Sequence, residues 1–373
     1  MALKPLRMGV VGVGGRGASV LKMLCDHEAV EVVAVSDVAR ERADAAGAQA
    51  GVPGFTSHVE MMEKASLEAV FIATPHVFHP PIAVDAAQRG LHILTEKPIA
   101  VSVSDADRMV AAAEKAGVAL GLMFQRRLEP MRKKAYEIMA SGELGRIYEI
   151  EMVSTNWYRL QSYYDSGAWR ATWKGEGGGI LANQSPHDLD FLAWLGGMPK
   201  RVQASVYTRV HRIETEDTVY ATFDYGNGKV GTYKATTSDP LGGASLEVQG
   251  EHGRLAIRGG KLLRCRYPIS LSQDILNTAT KRESPIKDEW EEVEIPGAGE
   301  RRDPSAAVVT AFVAHVREGS PLAATGRDGI NAVELSNAMH LAGFTGGWVD
   351  LPLDRAAFDK LLSQLREGER KLA

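Results

Sequence analysis

Cysteine is scarce in this chain: Cys25 and Cys265 are the only two in 373 residues, and neither belongs to a Cys-x-x-Cys pair. That excludes a disulfide framework and leaves no cysteine-based zinc site, so the expected setting is a reducing cytoplasm. Long apolar runs are missing too, since no stretch approaches the roughly twenty residues that a membrane-spanning helix requires. Lys4 and Arg7 before Met8–Val13 resemble the start of a signal peptide only superficially, because the apolar run is short and broken by Gly9 and Gly12. Nor is there a block of one charge. The 43 basic and 47 acidic residues give a net charge of −4 and are interleaved along the chain. Neither a nucleic acid nor a membrane surface is therefore expected as a partner. No internal repeat or low-complexity tract is present. What remains is an ordinary composition, 45% hydrophobic and 24% charged, on a chain long enough for two domains with proper cores.

Arg7 to Val13 reads as a first strand. It runs into Gly12-Val13-Gly14-Gly15-Arg16-Gly17, and Ala18 to Leu24 continues as a helix. Gly-x-Gly-x-x-Gly between a strand and a helix has a mechanical reading: Gly12 permits the tight turn, Gly14 lets the backbone approach a pyrophosphate, and Gly17 lets helix and strand pack closely. The helix N-terminus then offers free N–H groups and a positive dipole end to the phosphates. A second strand, Val30 to Ser36, ends in Asp37, twenty residues after Gly17. An acid there accepts hydrogen bonds from the adenosine ribose and repels a 2′-phosphate, which favours NAD over NADP. Arg40 and Arg42 temper that preference, or are surface charges of the following helix.

The alternation continues with a strand from Ala69 to Ala73 ending in Thr74-Pro75, a helix from Ile82 to Gln88 and a strand from Leu91 to Leu94. Ser104 reads as the N-cap of a helix stopped by Gly117, and Val118 to Met123 as the next strand. Repeated strand and helix at these lengths predict a doubly wound parallel sheet. In such a sheet, ligands sit beyond the carboxyl ends of the strands. Thr95-Glu96-Lys97-Pro98 stands at one such end, so Lys97 either points its ammonium at a ligand or forms a solvated pair with Glu96. His76 and His79 have no third ligand nearby, so no metal is expected there.

After a helix from Met131 to Ala140 the pattern changes to period two. Ile147–Thr155, Val202–Arg209, Thr218–Tyr225, Lys229–Thr236, Ser245–Gln249, Arg254–Arg258 and Lys261–Arg266 alternate or carry β-branched residues, with a hairpin signal at Gly226-Asn227-Gly228. A large, mainly antiparallel sheet is predicted. Helices from Ser305 to Glu318 and from Asp328 to Leu341 are expected to cover one face, and an identical subunit the other. The expected division is 1–125 for the dinucleotide-binding domain and 126–373 for a substrate-binding and oligomerisation domain.

Between the first two of these strands lies an aromatic segment holding Trp157, Tyr158, Tyr163, Tyr164, Trp169, Arg170 and Trp173. Rings with polar tips suit the C–H faces and hydroxyls of a sugar, or else pack the domain. Gly177-Gly178-Gly179 follows, then Ile180 to Phe191. If that stretch is helical throughout, Asn183 and His187 share a face and Asp190 lies three residues beyond His187. Pro186 disfavours helix at Ser185. A histidine aimed at a cofactor is a general-base candidate.

With the glycine loop, Asp37, Glu96-Lys97-Pro98 and the Gly-Gly-Gly … His187-x-x-Asp190 run in this order, the chain resembles the Gfo/Idh/MocA family over essentially its full length. The family is named for glucose-fructose oxidoreductase, inositol 2-dehydrogenase and a rhizopine-catabolism protein. The resemblance implies an N-terminal Rossmann domain and a C-terminal α/β domain whose open sheet mediates dimer or tetramer formation. It implies redox chemistry on a sugar or cyclitol hydroxyl with a nicotinamide cofactor. Lys97 matches the family's catalytic lysine and His187 its catalytic histidine. At Asn183 many members carry an aspartate, so the implied catalytic set is Lys97, His187 and Asn183.

Thr74, Pro75 and His79 match the loop beside the nicotinamide, and Arg170 matches a position close to the cofactor. With Gly12, Gly14, Gly15, Arg16, Gly17, Asp37, Glu96, Lys97 and Gln125 they make up the expected cofactor contacts. Trp157, Tyr158, Trp169 and Trp173 join Lys97, Asn183 and His187 as expected substrate contacts. The activity implied is NAD-dependent oxidation of a secondary hydroxyl of a sugar, anhydrosugar, glycoside or cyclitol, ring C3 included. The alternatives are an NAD-dependent glycosidase acting through transient ring oxidation and elimination, and a non-catalytic NAD-binding sensor.

Overall fold

The structure is a computed structural model that describes residues 4–276, 283–296 and 303–372. Six parallel strands form the first sheet: β1 (Leu6–Val11), β2 (Val30–Ser36), β3 (Gly54–Phe55), β4 (Ala69–Ile72), β5 (His92–Thr95) and β6 (Leu120–Leu122). Their order is β3-β2-β1-β4-β5-β6, so the winding reverses between β1 and β4 and the glycine loop stands at that switch point. The central strands are buried on both faces, as near-continuous apolar runs in a parallel sheet require. Helices Arg16–Cys25, Arg40–Ala50, His79–Gln88 and Val103–Ala116 connect the strands. The last of these is capped by Ser102, whose hydroxyl accepts from Asp105 N at 3.2 Å, and not by Ser104; it ends at Gly117, where φ is 66°. Ser102 and Ser104 both precede the apolar stripe, and position three residues before an orphan N–H decides between them.

The chain separates into two units. The first takes residues 4–128, 174–177 and 303–333, and the second takes the other described residues. Helix Pro304–Glu318, expected on the large sheet, instead completes the first unit's core: Val308, Val309, Phe312 and Val313 pack with Leu94, Ala119 and Met123. Gly121 makes room for it, because a Cβ there would come within 3.0 Å of the Phe312 ring. A bidentate pair fastens its end, with Arg317 Nη1 and Nη2 donating to Glu68 Oε1 and Oε2 at 2.7 and 2.8 Å.

The second unit is built on nine strands: β7 (Ile147–Ser154), β8 (Arg201–Tyr207), β9 (Thr218–Gly226), β10 (Lys229–Thr236), β11 (Ala244–Gly250), β12 (Gly253–Arg258), β13 (Lys261–Arg266), β14 (Glu291–Glu292) and β15 (Val349–Asp350). Their order is β14-β13-β12-β11-β7-β10-β9-β8-β15, antiparallel throughout except where β7 meets β10. The β9–β10 turn places Gly226, Asn227 and Gly228 all at positive φ. Along β8 only Val202, Ala204 and Val206 face inward. Helix Pro186–Gly196 and the later part of helix Gly326–Thr345 lie on the inner side, with Gly196 close to Ile150 and Gly343 close to Val206. On the outward side Tyr207, Tyr220 and Val230 are each more than two-fifths exposed.

The Arg317 guanidinium, helped by the Arg7 N–H and opposed by partial burial, holds the Glu68 carboxyl down to about 2 from 4.5. A folded value below the unfolded one adds stability above pH 4.5, and that stability is lost as pH falls from there toward the folded value. We predict that Arg317→Met costs about 1 kcal/mol at neutral pH, since the pair is partly exposed. The urea midpoints of the two proteins should converge as pH drops through that window. A gap that stays constant on acidification would contradict this.

Candidate functional site

In the first unit the glycine loop has the shape a pyrophosphate needs. Gly12 sits at φ 85°, and a Cβ there would meet Ala73 O at 2.9 Å; a Cβ on Gly17 would lie 2.0 Å from Gly12 O. Gly15, by contrast, would have nothing within 4 Å of a Cβ, and helix Arg16–Cys25 has no side-chain cap. Gly17 N bonds to Gly14 O at 2.8 Å, and no side chain takes the other N–H groups of the first turn, which would face an anion there. Asp37 closes the loop from β2: Oδ2 accepts from Val13 N at 3.1 Å, while Oδ1 accepts from Ala39 N and from Arg42 Nε and Nη2 at 3.0, 3.0 and 2.7 Å. Burial pushes this carboxyl up, but the Arg42 bonds and the two N–H groups outweigh it and lower it overall. Arg42 is half exposed beside the acid expected to select against a 2′-phosphate, whereas Arg40 pairs with Asp44 at the surface.

The carboxyl end of β5 carries Glu96 and Lys97. Glu96 Oε1 takes Arg16 Nε at 2.7 Å, which ties the strand to the glycine loop. Lys97 is densely surrounded by protein yet partly reached by solvent. Burial lowers its ammonium from the usual 10.5; Glu96 and Glu176 oppose that effect, and Arg16 and Arg126 add to it. Thr74 Oγ1 and Gln125 Oε1 are buried without a hydrogen-bond partner among the described residues, as groups waiting for a ligand would be. His79 is fully buried, with Nδ1 2.9 Å from Pro98 O and Nε2 2.8 Å from Thr74 O. It braces two loops, and both ring nitrogens are engaged, so it offers no metal ligand. The donors, the open loop and the orphaned polar atoms fit a bound dinucleotide. The first unit therefore gathers Gly12 to Gly17, Asp37, Thr74, Pro75, His79, Glu96, Lys97 and Gln125 around the carboxyl ends of its strands.

In the second unit the stretch after the three glycines is two helices, Ile180–Asn183 and Pro186–Gly196, with the break at Gln184-Ser185. Ser185 N bonds to Ile180 O, and Asp188 and Leu189 restart the ladder from Ser185 O. Asn183 and His187 are thus not on one continuous helix, because Pro186 supplies no N–H to carry the ladder through. The segment is fastened at close intervals. Glu216 Oε1 accepts from Gly179 N at 3.0 Å and Leu181 N at 2.9 Å, Tyr233 Oη donates to Ser185 Oγ at 2.8 Å, and Ser154 Oγ donates to Asp188 Oδ2 at 2.6 Å. Glu216 Oε2 lies 3.0 Å from His340 Nε2, at ion-pair distance but poorly aligned for a hydrogen bond, and both side chains are fully buried.

Among the aromatic residues, Trp173 is 2% exposed, donates Nε1–H to Glu214 O and meets His340 edge-on. It is a core ring and presents no face to a sugar. Tyr158 is exposed, and Trp157 and Trp169 are partly so. Arg170 Nη1 donates to Tyr163 Oη at 2.8 Å and Nε to Ser166 Oγ at 3.1 Å. Gln184 Nε2 reaches the same phenol at 3.3 Å, so Arg170 belongs to the surroundings of the Asn183–His187 segment. Glu216, His340 and Asp188 carry no mark of a site residue in the sequence, and Tyr163 stands there only as one ring of the aromatic segment. Thr215-Glu216-Asp217 stands just before β9, and no spacing in the sequence signals that Glu216 takes hold of a helix 35 residues upstream.

Removing the Glu216 carboxylate strands two buried N–H groups and an imidazole. We predict that Glu216→Ala destabilises the fold by about 3 kcal/mol in urea denaturation, with Glu216→Gln losing less because one acceptor oxygen survives. Equal losses in the two variants would show that the carboxamide cannot replace the cap.

Family models match both parts of the chain: an oxidoreductase family with an NAD-binding Rossmann fold over residues 6–124, and the GFO/IDH/MocA C-terminal domain over residues 133–256. Among curated relatives, scyllo-inositol 2-dehydrogenase (NADP(+)) from Bacillus subtilis is 26% identical over 75% of this chain and 77% of its own. The 1,5-anhydro-D-fructose reductase of Ensifer adhaerens is 25% identical over 85% and 90%. Among solved structures, the WlbA dehydrogenase from Bordetella pertussis, in complex with NADH and UDP-GlcNAcA, superposes with a TM-score of 0.79 at 28% identity, covering 94% of this chain and 100% of that one. With its glycine loop and its Glu96-Lys97-Pro98 strand end inside the first matched range and β7 to β11 of its second sheet inside the other, the chain belongs to the Gfo/Idh/MocA family of NAD-binding oxidoreductases.

Proposed function

We propose that this enzyme oxidises a secondary hydroxyl of a sugar, anhydrosugar, glycoside or cyclitol to a ketone. The nicotinamide, when bound, supplies the hydride acceptor. Gly12, Gly14, Gly15, Arg16 and Gly17 hold its pyrophosphate, Thr74, Pro75, His79, Glu96 and Gln125 border it, and Asp37 faces the adenosine ribose and favours NAD over NADP. His187 takes the hydroxyl proton. Lys97 orients that hydroxyl and stabilises the alkoxide as charge develops on it. Asn183, an amide, cannot exchange a proton near neutral pH but donates one hydrogen bond and accepts another, so it fixes a neighbouring hydroxyl. Trp157, Tyr158 and Trp169 border the sugar. The names of the curated relatives, which act on an inositol and an anhydrosugar, support this substrate class, and the open face of the second sheet is assigned to self-association.

The observation that carries this reading is the place of Lys97, on the carboxyl end of β5 beside Glu96, whose carboxylate holds Arg16 of the glycine loop; burial there lowers its ammonium. A buried lysine held below its usual range serves proton sharing better than a surface one does. Purified protein incubated with NAD and a panel of sugars, cyclitols and glycosides should yield NADH and a ketone. Lys97→Met should leave NADH binding nearly intact and lower turnover by about a hundredfold or more. Turnover that survives in Lys97→Met would refute the role of that residue. Glycoside cleavage without net NADH would mark the redox-assisted glycosidase instead.

The two second-unit residues are separated by pH profiles of kcat/KM. Replacing His187 with Ala should flatten the acid limb, whereas Asn183→Ala should cost about 1–3 kcal/mol of transition-state stabilisation and leave the limb in place. Loss of the limb in Asn183→Ala alone would reverse the assignment.

A further inference from the structure

Five side chains beside the Asn183–His187 segment form an alternating stack of rings and guanidiniums. The Arg159 guanidinium lies 5.5 Å from the Trp157 ring centre and 4.9 Å from that of Tyr163. The Arg170 guanidinium lies 4.4 Å from Tyr163 and 4.7 Å from Trp169. Two cations thus share one phenol ring, which holds like charges close together and costs energy unless an anion joins them. Among the described residues neither arginine has a carboxylate within 4 Å, and Arg159 Nε is buried with no hydrogen-bond partner. The acids on the neighbouring loops are engaged elsewhere. Asp165 accepts from Gln161, Glu214 accepts from Trp173 N, and Asp217 accepts from the N–H groups of Arg209, Val210 and His211.

The stack is also connected to the proposed chemistry. Tyr163 Oη accepts from Arg170 Nη1 and from Gln184 Nε2, which leaves its own proton to donate. Gln184 is the residue after Asn183. Arg159 Nη1 donates to Tyr158 O at 3.1 Å, and Arg170 gives Nε to Ser166 and Nη1 to Tyr163, so it is the Nη2 ends of the two guanidiniums that remain to meet a planar or tetrahedral oxyanion.

We propose that Arg159, Tyr163 and Arg170 form an oxyanion subsite, so that the preferred substrate is a sugar bearing a carboxylate or a phosphate and not a neutral one. This deepens the reading above and rests on it for the sugar itself. The oxyanion belongs to the sugar; the cofactor's phosphates are the competing source, which the test separates.

The test uses matched probes that differ only in charge: D-glucose, D-glucuronate and D-glucose 6-phosphate, and D-galactose with D-galacturonate. Two readouts run in parallel, kcat/KM with saturating NAD and titration calorimetry on the NADH-loaded protein. The expected result is a charged probe preferred over its neutral partner by about tenfold or more, mainly through KM, with the preference shrinking as salt is raised. In Arg159→Gln and, separately, Arg170→Gln, the ratio should fall close to one, and Arg159→Lys should restore part of it. Two independent variants keep the test open if one folds poorly.

Equal or better use of the neutral probes by the wild type overturns the subsite, as does a ratio unchanged in both glutamine variants. Weakened NADH affinity with an unchanged sugar ratio overturns it too, assigning these arginines to the cofactor's phosphates. If no probe is oxidised but the charged ones bind in an arginine-dependent way, the subsite stands and the proposed dehydrogenase reaction fails. If neutral sugars are oxidised and no anion binds, the reverse holds.

Discussion

An ammonium removed from water, at the end of a parallel strand, organises the first unit. β5 is buried on both sides through Thr95, and Lys97, two residues further on, is densely surrounded by protein with only part of its side chain open to solvent. Desolvation alone would favour the neutral amine. Two carboxylates act against that, one from the neighbouring Glu96 and one from Glu176, which the chain returns to the first unit in the short 174–177 segment. Glu96 is in turn paired to Arg16 of the glycine loop. The group proposed to meet substrate and the loop proposed to meet cofactor are therefore coupled through one carboxylate, and a change at either would be felt at the other.

The second unit solves a different problem, that of holding a broken helix still. Pro186 interrupts the ladder between Asn183 and His187, which a free segment would answer by fraying. Here Glu216 accepts from two backbone N–H groups of the segment, and Tyr233 and Ser154 each donate to one of its side chains, from strands or strand edges of the large sheet. Gly179 is required because a Cβ would lie 1.9 Å from Glu216 O, and that close approach is what lets one carboxylate reach two backbone N–H groups. Preorganisation of this kind favours a group that must present a proton acceptor in a fixed direction.

Much of this was legible in the sequence. The glycine loop, Asp37 and the strand end at Lys97 follow from local rules, because turn chemistry and strand burial act over a few residues. Period-two patterning also announced the second sheet, with strand ends off by one or two residues. What escaped depends on long-range packing. Helix Pro304–Glu318 is apolar enough for either sheet, and what seats it in the first is long-range: the space left by Gly121, the packing on Leu94, Ala119 and Met123, and the Arg317–Glu68 pair. Trp173 cannot be told from its neighbouring tryptophans until His340 and Glu214 O are found around it. Glu216 gave no signal at all, since a capping carboxylate far along the chain has no characteristic spacing. The engagement of Asp37 by Arg42 was half visible: the charges were noticed, but the bidentate bond needs the helix to bring Arg42 back over the loop.

The proposed chemistry depends most directly on the state of Lys97. Nitrogen-15 NMR of its Nζ, assigned by the signal lost in Lys97→Met, can be followed through a pH titration of the folded protein. A midpoint below 10.5 is predicted, because burial outweighs Glu96 and Glu176 there. A midpoint at or above that value would mean that the two carboxylates hold an ordinary surface-like ammonium, and the chemistry built on a desolvated lysine would be contradicted.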